Sequence, residues 1–152
     1  MKKSKLSVKV SLGICWASAV MLVVMILRFP AILAWMFSLR VSNTSGLEEL
    51  IKKVTWVFYA LSPFIASAIY MLIRLLMNLR AGKTFVVANA VYLKALSWCL
   101  YAVGLISAVG TVFYTPYAAV AFASGLTGTL LRVISDIMRS AAALKTENDL
   151  TI

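Results

Sequence analysis

Long uncharged stretches alternate with short basic ones along this chain. The first stretch, Val10 to Leu27, reads VSLGICWASAVMLVVMIL, and at about 1.5 Å per residue it approaches the thickness of a membrane's hydrocarbon layer. The second, Val54 to Ile73, carries Pro63 near its middle, which a membrane helix tolerates when a hydroxyl such as that of Ser62 bonds the freed carbonyl. The third runs from Ala95 to Val112. The fourth opens near Tyr117, after Pro116, stays uncharged to Leu131, and continues into Arg132, Asp136 and Arg139 as a helix leaving the membrane. The pattern predicts an all-α membrane protein with four transmembrane helices in one bundle, spanning about 10–27, 54–73, 95–112 and 117–138. Residues 1–152 form a single domain, with a connecting loop at 74–94 and a polar tail at 145–152.

The connections have patterns of their own. Pro30 is expected to break the first helix, leaving AILAWMFSL, too short to span, in the membrane interface with Trp35 as an amphipathic anchor. Ser45 and Glu48 have the spacing of a capping box, so the second helix should begin about two turns before its span. FYTPYAA, between spans three and four, reads as a tight hairpin at an aromatic belt.

Composition agrees with the class. Of 152 residues, 62% are apolar and only 13% charged, against about one quarter charged in ordinary soluble domains. Four spans use up this length and leave no room for a separate soluble domain. Lys2, Lys3, Lys5 and Lys9 make a basic start, but the apolar run after them is long and shows no small-x-small cleavage site, so a retained signal anchor is expected.

Charge sets the expected orientation. Eleven of the fifteen Lys and Arg residues precede span one, connect spans two and three, or follow span four, and four lie in the first connection. That bias places both termini and the 74–94 loop in the cytoplasm. The net charge of +10 is dispersed between spans, no nucleic-acid-binding motif accompanies it, and no direct nucleic-acid binding is expected.

Candidate chemistry is sparse. There is no histidine, and Cys15 and Cys99 sit in separate spans as buried free thiols, so neither a usual transition-metal site nor a His-assisted nucleophile can be assembled. No Gly-rich phosphate loop occurs. The expectation is a non-enzyme with no cofactor.

The stretch AFASGLTGTLLRVISDIMRS is more informative. At 100° per residue, Ala121, Gly125, Gly128, Arg132, Ser135, Asp136 and Arg139 fall within one wedge roughly a hundred degrees wide. Small residues let helices approach closely in lipid, so Ala121, Gly125 and Gly128 are expected to pack against the bundle. Span three offers Ser97, Tyr101, Gly104, Ala108 and Thr111 as a matching stripe. Asp136 lies one turn after Arg132: the pair is either an ion relay or an interfacial ion pair with Arg132 snorkelling toward headgroups, and the second reading is favoured because the pair lies away from the midplane.

Two stretches carry a family resemblance. AGKTFVVANAVYLKAL supplies Gly82, Phe85, Asn89 and Leu93, and the chain closes on Glu147, Asn148, Asp149, Leu150, Thr151 and Ile152. Together they resemble the domain of unknown function 2975 family, bacterial membrane proteins with four spans. Thr84 stands where that family often has Pro, and Ala88 where an acidic residue is common, leaving this loop more basic. The resemblance implies the bacterial cytoplasmic membrane and a regulatory role beside small helix-turn-helix regulators.

On the residues themselves, Gly82 can supply the turn ending span two, Phe85 can anchor the loop at the interface, and Asn89 can cap or bond locally. Alternation in the tail, with Leu150 and Ile152 on one side and Asp149 and Thr151 on the other, suits an extended segment docking on something. The expected partners are the lipid bilayer and a cytoplasmic protein, with a second copy of the chain a further candidate. The alternative is a small transporter component or immunity-type membrane protein using the Arg132 and Asp136 seam.

Overall fold

The computed structural model describes the backbone of residues 2–38, 46–82 and 86–149, and the side chains within 8–36, 46–82 and 86–144. Four helices make up nearly all of it: α1 (Lys2–Ser38), α2 (Leu47–Arg80), α3 (Val87–Gly110) and α4 (Tyr117–Asp149). Each is long and apolar enough to cross a membrane, and no strand occurs among the described residues. The all-α, four-span architecture read from the sequence is the one observed.

The helices pack in chain order. α1 lies on α2, α2 on α3 and α3 on α4, and among the described residues no other pair of helices lies side by side. Cross-helix contacts give the directions. Tyr59 meets Ile26, Asn78 meets Asn89, and Tyr101 meets Thr129, so each helix runs antiparallel to the one before it. One end of the bundle therefore carries the α2–α3 connection with the starts of α1 and the end of α4, and the other carries the α3–α4 turn.

The expected break at Pro30 does not occur. α1 is one helix of 37 residues, about 55 Å long at 1.5 Å per residue. Proline removes an N–H and so strips the carbonyl four residues earlier, Ile26, of its helical donor. The Tyr59 hydroxyl of α2 donates to that carbonyl at 3.1 Å. One residue away, Phe29 stacks on Phe58 with centroids 3.8 Å apart and planes 9° from parallel, fixing the two helices at that level. AILAWMFS therefore continues α1 rather than lying separately in the interface, and Trp35 is largely exposed on it.

Pro63 is likewise inside a helix, but the hydroxyl expected to compensate for it acts elsewhere. Ser62 donates to the Phe58 carbonyl at 2.9 Å, four residues before itself, and not to the Tyr59 carbonyl that Pro63 frees. A serine on the same helix reaches back one turn from its own position, which here is one residue short of the gap.

α2 begins at Leu47, two turns before Val54, as expected, but without a capping box. Ser45 lies outside the described residues. The N-cap is Gly46, left-handed at φ 93°, with no side-chain cap bond, and its carbonyl accepts from the Leu50 N–H at 3.2 Å. Positive φ at this position favours glycine. The α3–α4 connection is the tight aromatic hairpin anticipated. The Tyr114 N–H bonds the Gly110 carbonyl at 3.0 Å, and the Tyr117 hydroxyl ties the turn to α2 through the Val54 carbonyl at 3.2 Å.

Candidate functional site

The 74–94 region closes the α2–α3 hairpin. α2 ends at Arg80, and Gly82 takes φ 75° while its N–H bonds the Leu79 carbonyl at 3.1 Å, the left-handed C-terminal turn that only glycine adopts without strain. Lys83, Thr84 and Phe85 lie outside the described residues, so the anchoring expected of Phe85 does too. Beyond them α3 starts at Val87 with Val86 as N-cap and no side-chain cap bond.

Asn89 bonds across the hairpin to α2. Its side chain is completely buried, and its Oδ1 accepts from the Asn78 Nδ2 on α2 at 2.9 Å. An amide inside an apolar bundle needs a partner, and the facing amide supplies one across the hairpin. Leu93, one turn further, is buried in the core. Asn78 was missed by sequence reasoning. The signal was available: MNLR holds the one uncharged amide at the end of α2, at a separation from Asn89 that a short turn brings into register.

The α3–α4 seam follows. Ser97 and Ser107 are fully buried on α3, Gly104 sits between them, and Ser124 and Ser135 are buried on α4. A Cβ built on Gly104 would stand 3.1 Å from the Ser124 hydroxyl, and one on Gly128 would stand 3.1 Å from the Tyr101 ring and 3.3 Å from the Ser97 carbonyl. Gly128 is thus the close approach expected. Gly125 is not, since a Cβ there would meet nothing within 4 Å. It lies with Ala121, Gly104 and Ala108 along an open groove on the outer face of the pair. The wedge is turned by part of a helical step, so Ser124 rather than Gly125 faces α3, and Ala108 is exposed where Ser107 is buried.

Further along α4, Ser135 donates to the Ala90 carbonyl at 2.7 Å and is the buried member of the polar half of the wedge. Arg132 and Asp136 are paired loosely, Nε to Oδ2 3.9 Å, with the Asp136 side chain 67% exposed. Arg139 is exposed. The helix does not stop there. Since Ser135 is level with Ala90, near the start of α3, the remainder of α4 runs past that start and continues through Glu147, Asn148 and Asp149. The extended tail expected from the alternation therefore does not include these three, because Ala141 to Leu144 and Lys145 are good helix formers and extending an existing helix costs little. Leu150 and Ile152 lie outside the described residues.

Cys15 and Cys99 are free thiols on helices that do not touch. Among the described residues no three of His, Cys, Asp and Glu come together as a metal site would require.

Four antiparallel apolar helices held by buried amides, hydroxyls and glycine contacts define a multi-pass helical membrane protein. Within that class the chain belongs to the family described as Protein of unknown function (DUF2975), whose model matches residues 7–152, nearly its whole length. No curated protein and no solved structure matches it.

Proposed function

We infer that this protein is a non-enzymatic regulatory or scaffold subunit of the bacterial cytoplasmic membrane, with both ends in the cytoplasm, which presents the end of α4 to a cytoplasmic protein such as a small helix-turn-helix regulator. The observation that carries this reading is the length of α4. Its uncharged run ends at Leu131 and its apolar span at Leu144, yet the helix continues to Asp149, beyond the level at which α3 begins. A helix that merely spans has no need of that extension, whereas a helix offered to a partner does. The acidic, Asn-containing end, Glu147 to Asp149, is the part such a partner would read, with Leu150 and Ile152 following it in sequence. The transporter alternative draws less support, since Asp136 is exposed and only loosely paired with a half-buried Arg132.

The test is affinity capture of the intact chain in mild detergent. Deleting Asn148 to Ile152 is expected to leave insertion and thermal unfolding unchanged while abolishing capture of the partner. Capture of the same proteins by the truncated chain would overturn the reading. Orientation has its own test: cysteines placed at Ser7, Lys83 and Thr146 should react with an impermeant reagent only after the membrane is opened, and one at Thr44 should react from outside. Labelling at Lys83 in intact cells would reverse the topology.

A further inference from the structure

The end of the bundle opposite the α2–α3 connection contains a cavity of about 320 Å³ that the reading above does not use. It is enclosed by Met25, Phe29 and Leu33 of α1, Phe58 of α2, and Tyr117 and Val120 of α4. Leu33 and Val54 are buried in its wall, while Ile32, Met36 and Val120, part-exposed, form its lip. Two phenols, Tyr114 and Tyr117, border an otherwise apolar lining, and the Tyr117 hydroxyl is committed to the Val54 carbonyl. The surface facing the space is almost wholly apolar and gives a water molecule too few partners to hold it, so the site suits an apolar guest. Met25 and Met36 provide flexible thioether side chains that adapt to a linear apolar guest.

A cation is adjacent in sequence to this wall, on the turn of α2 that faces the aromatic α3–α4 connection. Lys53 precedes Val54 of the wall, and its Nζ lies 5.8 Å from the centroid of Phe113, the neighbour of the cavity-lining Tyr114. Glu49 accepts one of its protons at 2.8 Å, and the ammonium group has two more to donate. The cavity's lip residues Ile32, Met36 and Val120 are exposed on helices long and apolar enough to cross a bilayer, where acyl chains would be the neighbours.

We propose that this cavity is a lipid site that takes one acyl chain of an anionic phospholipid, with the headgroup phosphate held at Lys53. The chain enters past Ile32, Met36 and Val120 and lies against Phe29 and Phe58. The charge of Lys53 selects an anionic over a zwitterionic headgroup, and the aromatic turn at Tyr114 and Tyr117 sits at the interface between the two parts of the lipid.

The experiment uses the full chain in phosphatidylcholine nanodiscs with a trace of phosphatidylglycerol carrying a photoreactive group on one acyl chain. Adducts are mapped by mass spectrometry. They should concentrate on Phe29, Leu33, Phe58 and Val120 relative to Leu105 and Phe122, which are more exposed but line no part of this cavity. Lys53→Gln should reduce cavity adducts about fivefold, the effect of one lysine near an anionic headgroup. Val120→Trp, which fills the lip, should remove them while leaving those at Leu105 and Phe122 in place; Ile32→Trp fills it from the other side should the first variant fold poorly. Adducts spread in proportion to exposure, or equal labelling of the cavity by a phosphatidylcholine probe, would overturn the proposal.

Discussion

The α1–α2 and α3–α4 pairings join apolar helices by different means. Between α3 and α4, glycines at 104 and 128 bring backbone against side chain, and Ser135 reaches across to a backbone carbonyl. Between α1 and α2 the described contacts are an aromatic stack and one tyrosine hydroxyl, and a cavity lies beside them. Burial follows place in the row and not hydrophobicity: 39% of the α3 span, flanked by α2 and α4, is buried and only 6% of the α1 span, packed on α2, although α1 is the more hydrophobic of the two. In lipid, burying a leucine against another helix gains little, because acyl chains are just as apolar; close approach and hydrogen bonds decide which helices hold together.

That contrast can be broken or sharpened by substitution, with thermal unfolding in detergent as the measurement throughout. The largest effect is expected at Gly128. Leucine there must displace Tyr101 and press on the Ser97 carbonyl, an overpacking that costs about 1–3 kcal/mol, whereas Gly125→Leu, facing open space, should change stability by no more than about 0.5 kcal/mol. Equal losses at the two glycines would show that the groove beside Gly125 is occupied. Next comes Asn89→Leu, which leaves the Asn78 amide without its acceptor and should cost about 1–2 kcal/mol.

A smaller effect belongs to the α1–α2 side. Tyr59→Phe removes the donor to Ile26 and should cost about 0.6 kcal/mol, and the loss should vanish in a Pro30→Ala background, where a backbone N–H takes over that carbonyl. A cost that persists in the alanine background would mean that the hydroxyl serves something other than the proline. The smallest effect is expected from Asp136→Asn, about 0.5 kcal/mol or less, because the ion pair is exposed and loosely set.

How legible each part was depends on the distance over which its cause acts. Spans, turns and the glycine at 82 follow from composition and local backbone preference, and these were read from the sequence. Pro30 was misjudged because its compensation comes from Tyr59, on another helix, which no local pattern reports. The wedge on α4 was placed nearly correctly, yet a rotation of part of a helical step moved Gly125 out of the seam and Ser124 into it. Periodicity names a stripe about a hundred degrees wide and cannot say which edge of it touches the neighbour. Asn78 and Asn89 were each visible, but their pairing required the loop geometry set by Gly82.

The chain-order packing of the helices has a consequence for biosynthesis. A helix whose main packing partner is the one made just before it can dock as soon as it leaves the ribosome and enters the bilayer, and only the Tyr117 tie from α4 back to α2 waits for the last hairpin. The proline carbonyl of α1 stays unserved only until Tyr59 emerges, and the Asn78 amide only until Asn89 follows it. Insertion then proceeds as a series of hairpins, each satisfying the polar groups the previous step left open.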